Sequence, residues 1–112
     1  MEKIVEQGLL YDFYGELLTD HQKKVYEEAV YDDMSLSEIA EDIGISRQGV
    51  HDLIKRCDKI LHDYEHKLHL VEKFTRIKES VREINQISEQ AITENSELQR
   101  IRQLSDDILR EL

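Results

Sequence analysis

Apolar residues recur at steps of three and four along nearly all of this 112-residue chain, which is the period of amphipathic helices rather than of strands. The first run predicts a helix from about Ile4 to Leu18, with Ile4, Leu10, Tyr14, Leu17 and Leu18 inward. Leu9, Tyr11 and Phe13 widen that stripe, so this helix is expected to touch neighbours on two sides. Gly8 and Gly15, two turns apart, suit either a close helix approach or tolerated glycines. Thr19 and Gln22 form a T-x-x-Q capping box. It opens a second helix from Asp20 to Tyr31, whose inner face is Val25, Tyr26, Ala29 and Val30. Asp32, Asp33 and Met34 supply a turn.

The densest pattern is LSEIAEDIGISRQGVHDLI, Leu36 to Ile54. Ser35 and Glu38 make an S-x-x-E capping box. Ile39 and Ile43 face inward. Ala40 is small enough for a second helix to cross closely. Gly44 falls where the chain must turn with positive φ. Ile45 is expected to plug the turn into the core, and Ser46 to cap the next helix. Val50, Leu53 and Ile54 supply that helix's buried face, and it runs on to Leu61 without a breaker. Local caps, turn residue and hydrophobic spacing agree on a helix-turn-helix motif over residues 36–61.

Beyond Leu61 the pattern lengthens. Tyr64, Leu68, Val71 and Phe74 continue one stripe, and Thr75 marks a bend or a new start. Ile77, Val81, Ile84, Ile87 and Ala91 follow, then Leu98, Ile101, Leu104, Ile108 and Leu112. The polar stretch Thr93 to Ser96 is the weakest point, with Ser96 a candidate cap. A seam this long cannot be covered by a domain of about 60 residues. It folds back as a hairpin or meets a second subunit, and a homodimer through the tail is the favoured expectation. The chain therefore divides into a helix-turn-helix domain at 1–74 and a helical tail at 75–112, in an all-α fold.

Composition agrees. Proline is absent, glycine occurs four times, and one cysteine excludes an internal disulfide. No apolar run is long enough to span a bilayer, and MEKIVEQG lacks the basic and apolar parts of a signal peptide. A cytoplasmic protein with no membrane partner is expected. Charge complicates the picture: 15 Lys and Arg face 25 Asp and Glu, for a net charge of -10. Residues 1–34 carry three positive and nine negative charges, residues 35–61 four and five, and residues 62–112 eight and eleven. An acidic body opposes DNA at long range. Around the motif, however, Arg47, Lys55, Arg56 and Lys59 outnumber Asp52 and Asp58.

The order L-T-x-x-Q, helix, acidic turn, helix, Gly turn, S-R-x-x-V, helix resembles region 4 of bacterial sigma factors. The stretch from Leu9 to Leu61, LLYDFYGELLTDHQKKVYEEAVYDDMSLSEIAEDIGISRQGVHDLIKRCDKIL, is also similar to the YlxM family of small bacterial helix-turn-helix proteins, a likeness that covers nearly the whole chain. The first resemblance implies a sigma region 4-like bundle with a long C-terminal helical extension. The second implies an accessory or regulatory role in the signal recognition particle pathway of protein targeting. The implied partners are the targeting GTPase, its receptor or its RNA.

Docked as such helices dock, the second motif helix would present Ser46, Arg47, Gln48, Gly49, His51, Asp52 and Lys55 outward. Arg47 would reach a phosphate or guanine and Gln48 an adenine, with Lys55, Arg56 and Lys59 on the backbone. The sigma pattern has long polar or basic side chains where this chain has Gly49, His51 and Asp52. Gly49 removes a base contact and Asp52 meets phosphate repulsion, so sequence-specific reading is weakened. The nucleic-acid candidates are Ser46, Arg47, Gln48, His51, Lys55, Arg56 and Lys59. An alternative acidic docking face comprises Glu27, Glu28, Asp32 and Asp33. Asp58, His62, His66 and His69 fall on one helical face at metal-chelating spacing, but a solvated polar stripe explains them better. Cys57 sits among apolar positions as a small hydrophobe. No phosphate loop, H-E-x-x-H or G-x-S-x-G occurs. No enzyme, cofactor or resident metal is expected. Two functions stay open: an accessory factor of protein targeting, and a DNA-binding transcription regulator using residues 46–59.

Overall fold

The helix starts at Asp20, Leu36 and Arg47, and the helix end at Gly44, are each set by a local device. The computed structural model describes residues 2–91 and 96–112. The helices are α1 (Lys3–Tyr14), followed by a single 3-10 turn (Gly15–Leu17), α2 (Asp20–Val30), α3 (Leu36–Ile43), α4 (Arg47–Leu68), α5 (Leu70–Ala91) and α6 (Ser96–Glu111). No strand occurs among the described residues. Both capping boxes form: the Gln22 amide donates to Thr19 Oγ1 at 3.2 Å and the Glu38 amide to Ser35 Oγ at 3.1 Å, each reciprocated by the Gln or Glu side chain. Gly44 closes α3 in the left-handed region at φ 73°, and the amides of Gly44 and Ile45 both donate to the Ala40 carbonyl. Ser46 caps α4 through the Gly49 amide at 3.0 Å.

The chain divides into two compact units, one ending at Val71 and the other spanning Glu72–Leu112. The first is the helix-turn-helix bundle. One core cluster joins Leu10, Tyr14, Leu18, Tyr26, Cys57, Leu61 and Val71. The other joins Val25, Ile39 and Val50, between α2, α3 and α4. Leu53 and Ile54 pack against both and weld them together. Long α4 is thus the spine on which α1, α2 and α3 lie.

Several sequence expectations are corrected here. The first helix does not run to Leu18: after Tyr14 it tightens into the 3-10 turn. That turn brings Leu18 into the core and leaves Leu17 exposed, while Ile4 at the other end is exposed too. Gly15 is required for that tightening, because a Cβ there would lie 2.8 Å from the Tyr11 ring. Gly8 carries no such constraint; its carbonyl accepts from the Tyr31 hydroxyl at 3.2 Å. Ile45 is not a core plug. It is exposed and lies instead across Gly49, where its Cδ1 is 3.5 Å from the position of an added Cβ.

The break after α4 falls at His69 rather than at Thr75. His69 takes φ 56°, a left-handed conformation uncommon outside glycine and asparagine. Glu65 and Tyr14 hold the joint. The Tyr14 hydroxyl donates to Glu65 Oε1 at 2.6 Å and accepts from the Leu70 amide at 3.2 Å, while the Val71 amide donates to the same Glu65 oxygen at 2.9 Å. Two first-turn amides of α5 are therefore satisfied from outside that helix. Tyr14→Phe removes the central hydroxyl and is expected to cost about 1 kcal/mol. Thermal denaturation should read this as a fall of about 5 °C.

In the second unit, Glu89 of α5 and Arg102 of α6 lie 3.7 Å apart, so the two helices run side by side and antiparallel. Val81, Ser88 and Ser105 are its buried residues, whereas Ile77, Ile84, Ile87, Ile101, Leu104, Ile108 and Leu112 are exposed. Most of the seam expected from the sequence is therefore not the face this hairpin buries. The expected weak point from Thr93 lies outside the described residues, and Ser96 is the first residue of α6.

Candidate nucleic-acid interface

The Ser46 cap and the Val50 anchor orient the first turns of α4, turning one side to solvent. Ser46, Arg47, Gln48, His51, Asp52, Lys55, Arg56 and Lys59 are all exposed. Arg47, His51, Lys55 and Lys59 follow one another at steps of four and form a single row of positive or protonatable side chains. Lys59 is tied to Asp63 at 2.9 Å. Arg47, Lys55 and Arg56 make no ion pair among the described residues.

Asp52 occupies the adjacent row, and its role is more specific than repulsion. Its Oδ1 accepts from the Gln48 amide nitrogen at 2.9 Å and lies 3.5 Å from His51 Nδ1. The one side chain suited to bidentate adenine contact is thus already committed within its own helix. Gly49 is half-buried under Ile45 and the capping hydroxyl, 3.1 Å from where its Cβ would stand, so it serves cap packing as well as omitting a base contact. The arrangement offers a phosphate-directed basic row with little base-reading chemistry.

One residue of this surface was missed from the sequence. Lys3, on α1, helps line a cavity of about 150 Å³ with Gln7, Leu36, His51, Ile54, Lys55 and Asp58. It adds a cation beside Lys55 from the opposite end of the sequence. No periodic or motif signal marks Lys3; only the packing of α1 on α4 places it there.

The acidic candidates scatter. Glu27 accepts a 2.6 Å hydrogen bond from the Tyr11 hydroxyl. Glu28 is buried, 8% exposed, and cannot belong to a docking face. Asp32 and Asp33 are exposed in the turn, where Asp33 takes φ 52°. The histidine stripe is not a ligand set either. The Asp58 carboxylate turns inward, accepting from Tyr26 Oη at 2.5 Å and from Gln7 Nε2 at 3.0 Å. His62 instead meets the Asp58 carbonyl and Glu6, each at 2.8 Å. The His66 ring, in the last turn of α4, lies 6.4 Å from that of His69 and tilted by 52° to it. No group of three or more His, Cys, Asp or Glu among the described residues is placed to hold a metal. Cys57 is fully buried, and burial pushes its thiol up to about 11, which suits a packing role.

Glu28 gives the bundle a pH dependence. Desolvation, then a hydrogen bond with Asp42 and that residue's negative charge, raises its carboxyl above the usual 4.5, against an opposing pull from Lys24. The folded state then binds more protons than the unfolded chain. Stability is therefore greatest below pH 4.5 as far as this group is concerned, and falls as pH rises through its raised value. His62, raised chiefly by the Asp58 carbonyl and then by Glu6, acts in the same direction above 6.5. Glu28→Gln is expected to raise the melting temperature at pH 7 and to flatten its decline as pH rises above 4.5. The variant should melt like the parent at the acid end.

The family model UPF0122, described as "Putative helix-turn-helix protein, YlxM / p13 like", matches residues 1–104. Over 70 residues the chain is 53% identical to UPF0122 proteins of Streptococcus gordonii strain Challis and of Streptococcus pneumoniae strains Hungary19A-6 and CGSP14. These alignments cover 62% of this chain and 64% of each relative, so the chain spans a little under two thirds of the length of the curated relatives it matches. Among the described residues no helix is long and apolar enough to cross a membrane.

Proposed function

Because the chain belongs to the UPF0122 family of YlxM / p13 like helix-turn-helix proteins, we propose that it is a non-enzymatic regulatory protein that serves as an accessory factor of signal recognition particle-dependent protein targeting. In this reading it acts by contacting the targeting GTPase, its receptor or its RNA. The likeness of residues 9–61 to the YlxM pattern supplies the link to targeting. The observation that carries the mode of action is the state of α4. Its Arg47–His51–Lys55–Lys59 row is exposed while Gln48 is held by Asp52 at 2.9 Å. Such a helix fits the phosphate backbone of a folded RNA, or an acidic protein surface, better than it fits promoter bases.

Cytoplasmic residence accompanies this function. The test is capture: tagged full-length chain, expressed at native level, should retain the targeting RNA or GTPase through a low-salt wash. Retention of genomic DNA with neither component would reject the proposal.

A second reading is favoured by the fold alone. A capped recognition helix with exposed Arg47, Lys55, Arg56 and Lys59 also fits a DNA-binding transcription regulator. The net charge of -10 weighs against it.

A further inference from the structure

The second unit buries the wrong row for its composition. Phe74, Val81, Asn85 and Ser88 lie in one row on α5, and Leu98, Arg102, Ser105 and Leu109 in one row on α6. All of these are half-buried or buried positions of the hairpin. Among its described residues two of the three buried ones are serines, and Asn85 Oδ1 is buried with no hydrogen-bond partner. The larger aliphatics occupy the neighbouring row. Ile77, Ile84 and Ile87 are 50%, 46% and 59% exposed, and Ile101, Leu104 and Ile108 are 44%, 45% and 44% exposed.

Helical geometry puts both neighbouring rows on one face. On each helix the aliphatic row is rotated from the buried row by roughly a right angle in the same sense, as 100° per residue requires. Because α5 and α6 are antiparallel, equal rotations bring the two rows to the same side of the hairpin. The outcome is a two-helix strip of Ile and Leu with Ser80 and Ala91 between them and no charge along its middle. Lys73 and Glu111 stand at its open end and Glu97 at the other.

We infer that this strip is the self-association face of the protein, covered by the same strip of a second copy to form a four-helix bundle. Six half-exposed aliphatic side chains present on the order of 500 Å² of apolar surface, at the upper end of what a monomer leaves uncovered. Two copies together bury about 1,000 Å² before flanking atoms are counted, which reaches the floor for a specific interface. Heptad spacing on both helices suits another antiparallel hairpin rather than a single strand or loop.

The test uses the full chain. Sedimentation velocity at 10–100 µM, roughly the range in which an interface of this size associates, should give twice the chain mass. Ile84→Glu combined with Leu104→Glu should weaken association by about a hundredfold or more. Because that variant can also disturb the hairpin, single cysteines supply a second measurement. Native Cys57 is buried and unreactive, so Ile84→Cys should give a dimer with a short bis-maleimide, whereas Glu83→Cys, on the polar side, should not. A parent that sediments as a monomer throughout, or a dimer that cross-links equally at both positions, overturns the inference.

Discussion

Gly44→Val should cost the helix-turn-helix about 2–3 kcal/mol, a fall in melting temperature of roughly 10–20 °C for a unit of this size. The cause is purely conformational. At φ 73° an L side chain is strained, while a Cβ added there would meet nothing within 4 Å. Valine is the severe case because its branched Cβ crowds the backbone on both sides. Asparagine, which tolerates the left-handed region, should recover most of the loss. Gly15 reverses this logic: its backbone angles are ordinary, and the penalty for Gly15→Ala comes from the Tyr11 ring. A Gly44→Val protein that melts with the parent would mean that α3 can end without this turn. The setting of α4 against α3 would then need another explanation.

The caps and the turn between residues 19 and 46 were legible in the sequence because their determinants are local. Thr19 and Gln22, Ser35 and Glu38, Gly44 and Ser46 each act within one helical turn, and each does in the structure what its chemistry predicts. The illegible features depend on partners far along the chain. Tyr14 and Glu65 are 51 residues apart, as are Gln7 and Asp58, and nothing local pairs them. The same blindness explains Glu28, whose burial follows from the approach of α3, and His69, whose left-handed turn is stabilised by the Tyr14–Glu65 joint. In the tail, periodicity identified an apolar seam but could not say which of two adjacent rows the hairpin itself would bury. Ser88 and Ser105 are on the inside, and the isoleucines are left on the adjoining face.

These tyrosine–carboxylate pairs also bear on the interface. Tyr26 pulls Asp58 inward, and Tyr11 engages Glu27. Asp58 is thereby diverted into the bundle while Glu27 stays exposed, and the Tyr26 and Tyr11 hydroxyls are in turn held neutral far above their ordinary range, first by burial and then by those carboxylates. The cations of α4 consequently face one carboxylate fewer with free acceptor sites, because the Asp58 oxygens are taken up by Tyr26 and Gln7.

That consequence sets the sharpest expectation for binding. With nucleic acid on α4, Lys55→Ala and Arg56→Ala together should lower the salt slope of binding by about two phosphate-equivalents and weaken affinity at low salt by about tenfold or more. Asp52→Ala should strengthen binding, since it removes a repelled charge and releases Gln48, whereas Asp52→Asn removes the charge but can still hold the Gln48 amide. A larger gain for alanine than for asparagine would assign base or sugar contact to Gln48. Equal gains would leave charge as the whole effect. If the contact is instead with a targeting GTPase through the acidic side, these four substitutions should leave its affinity nearly unchanged. Charge reversal at Asp32 and Asp33 should then weaken it, with Glu28 left intact because reversal at a buried site would unfold the bundle. Titrating the same variants against the targeting RNA, duplex DNA and the GTPase, each across a salt series, separates these outcomes. A parent that binds duplex DNA as steeply with salt as it binds the RNA, and ignores the GTPase, would displace the targeting role in favour of transcriptional regulation.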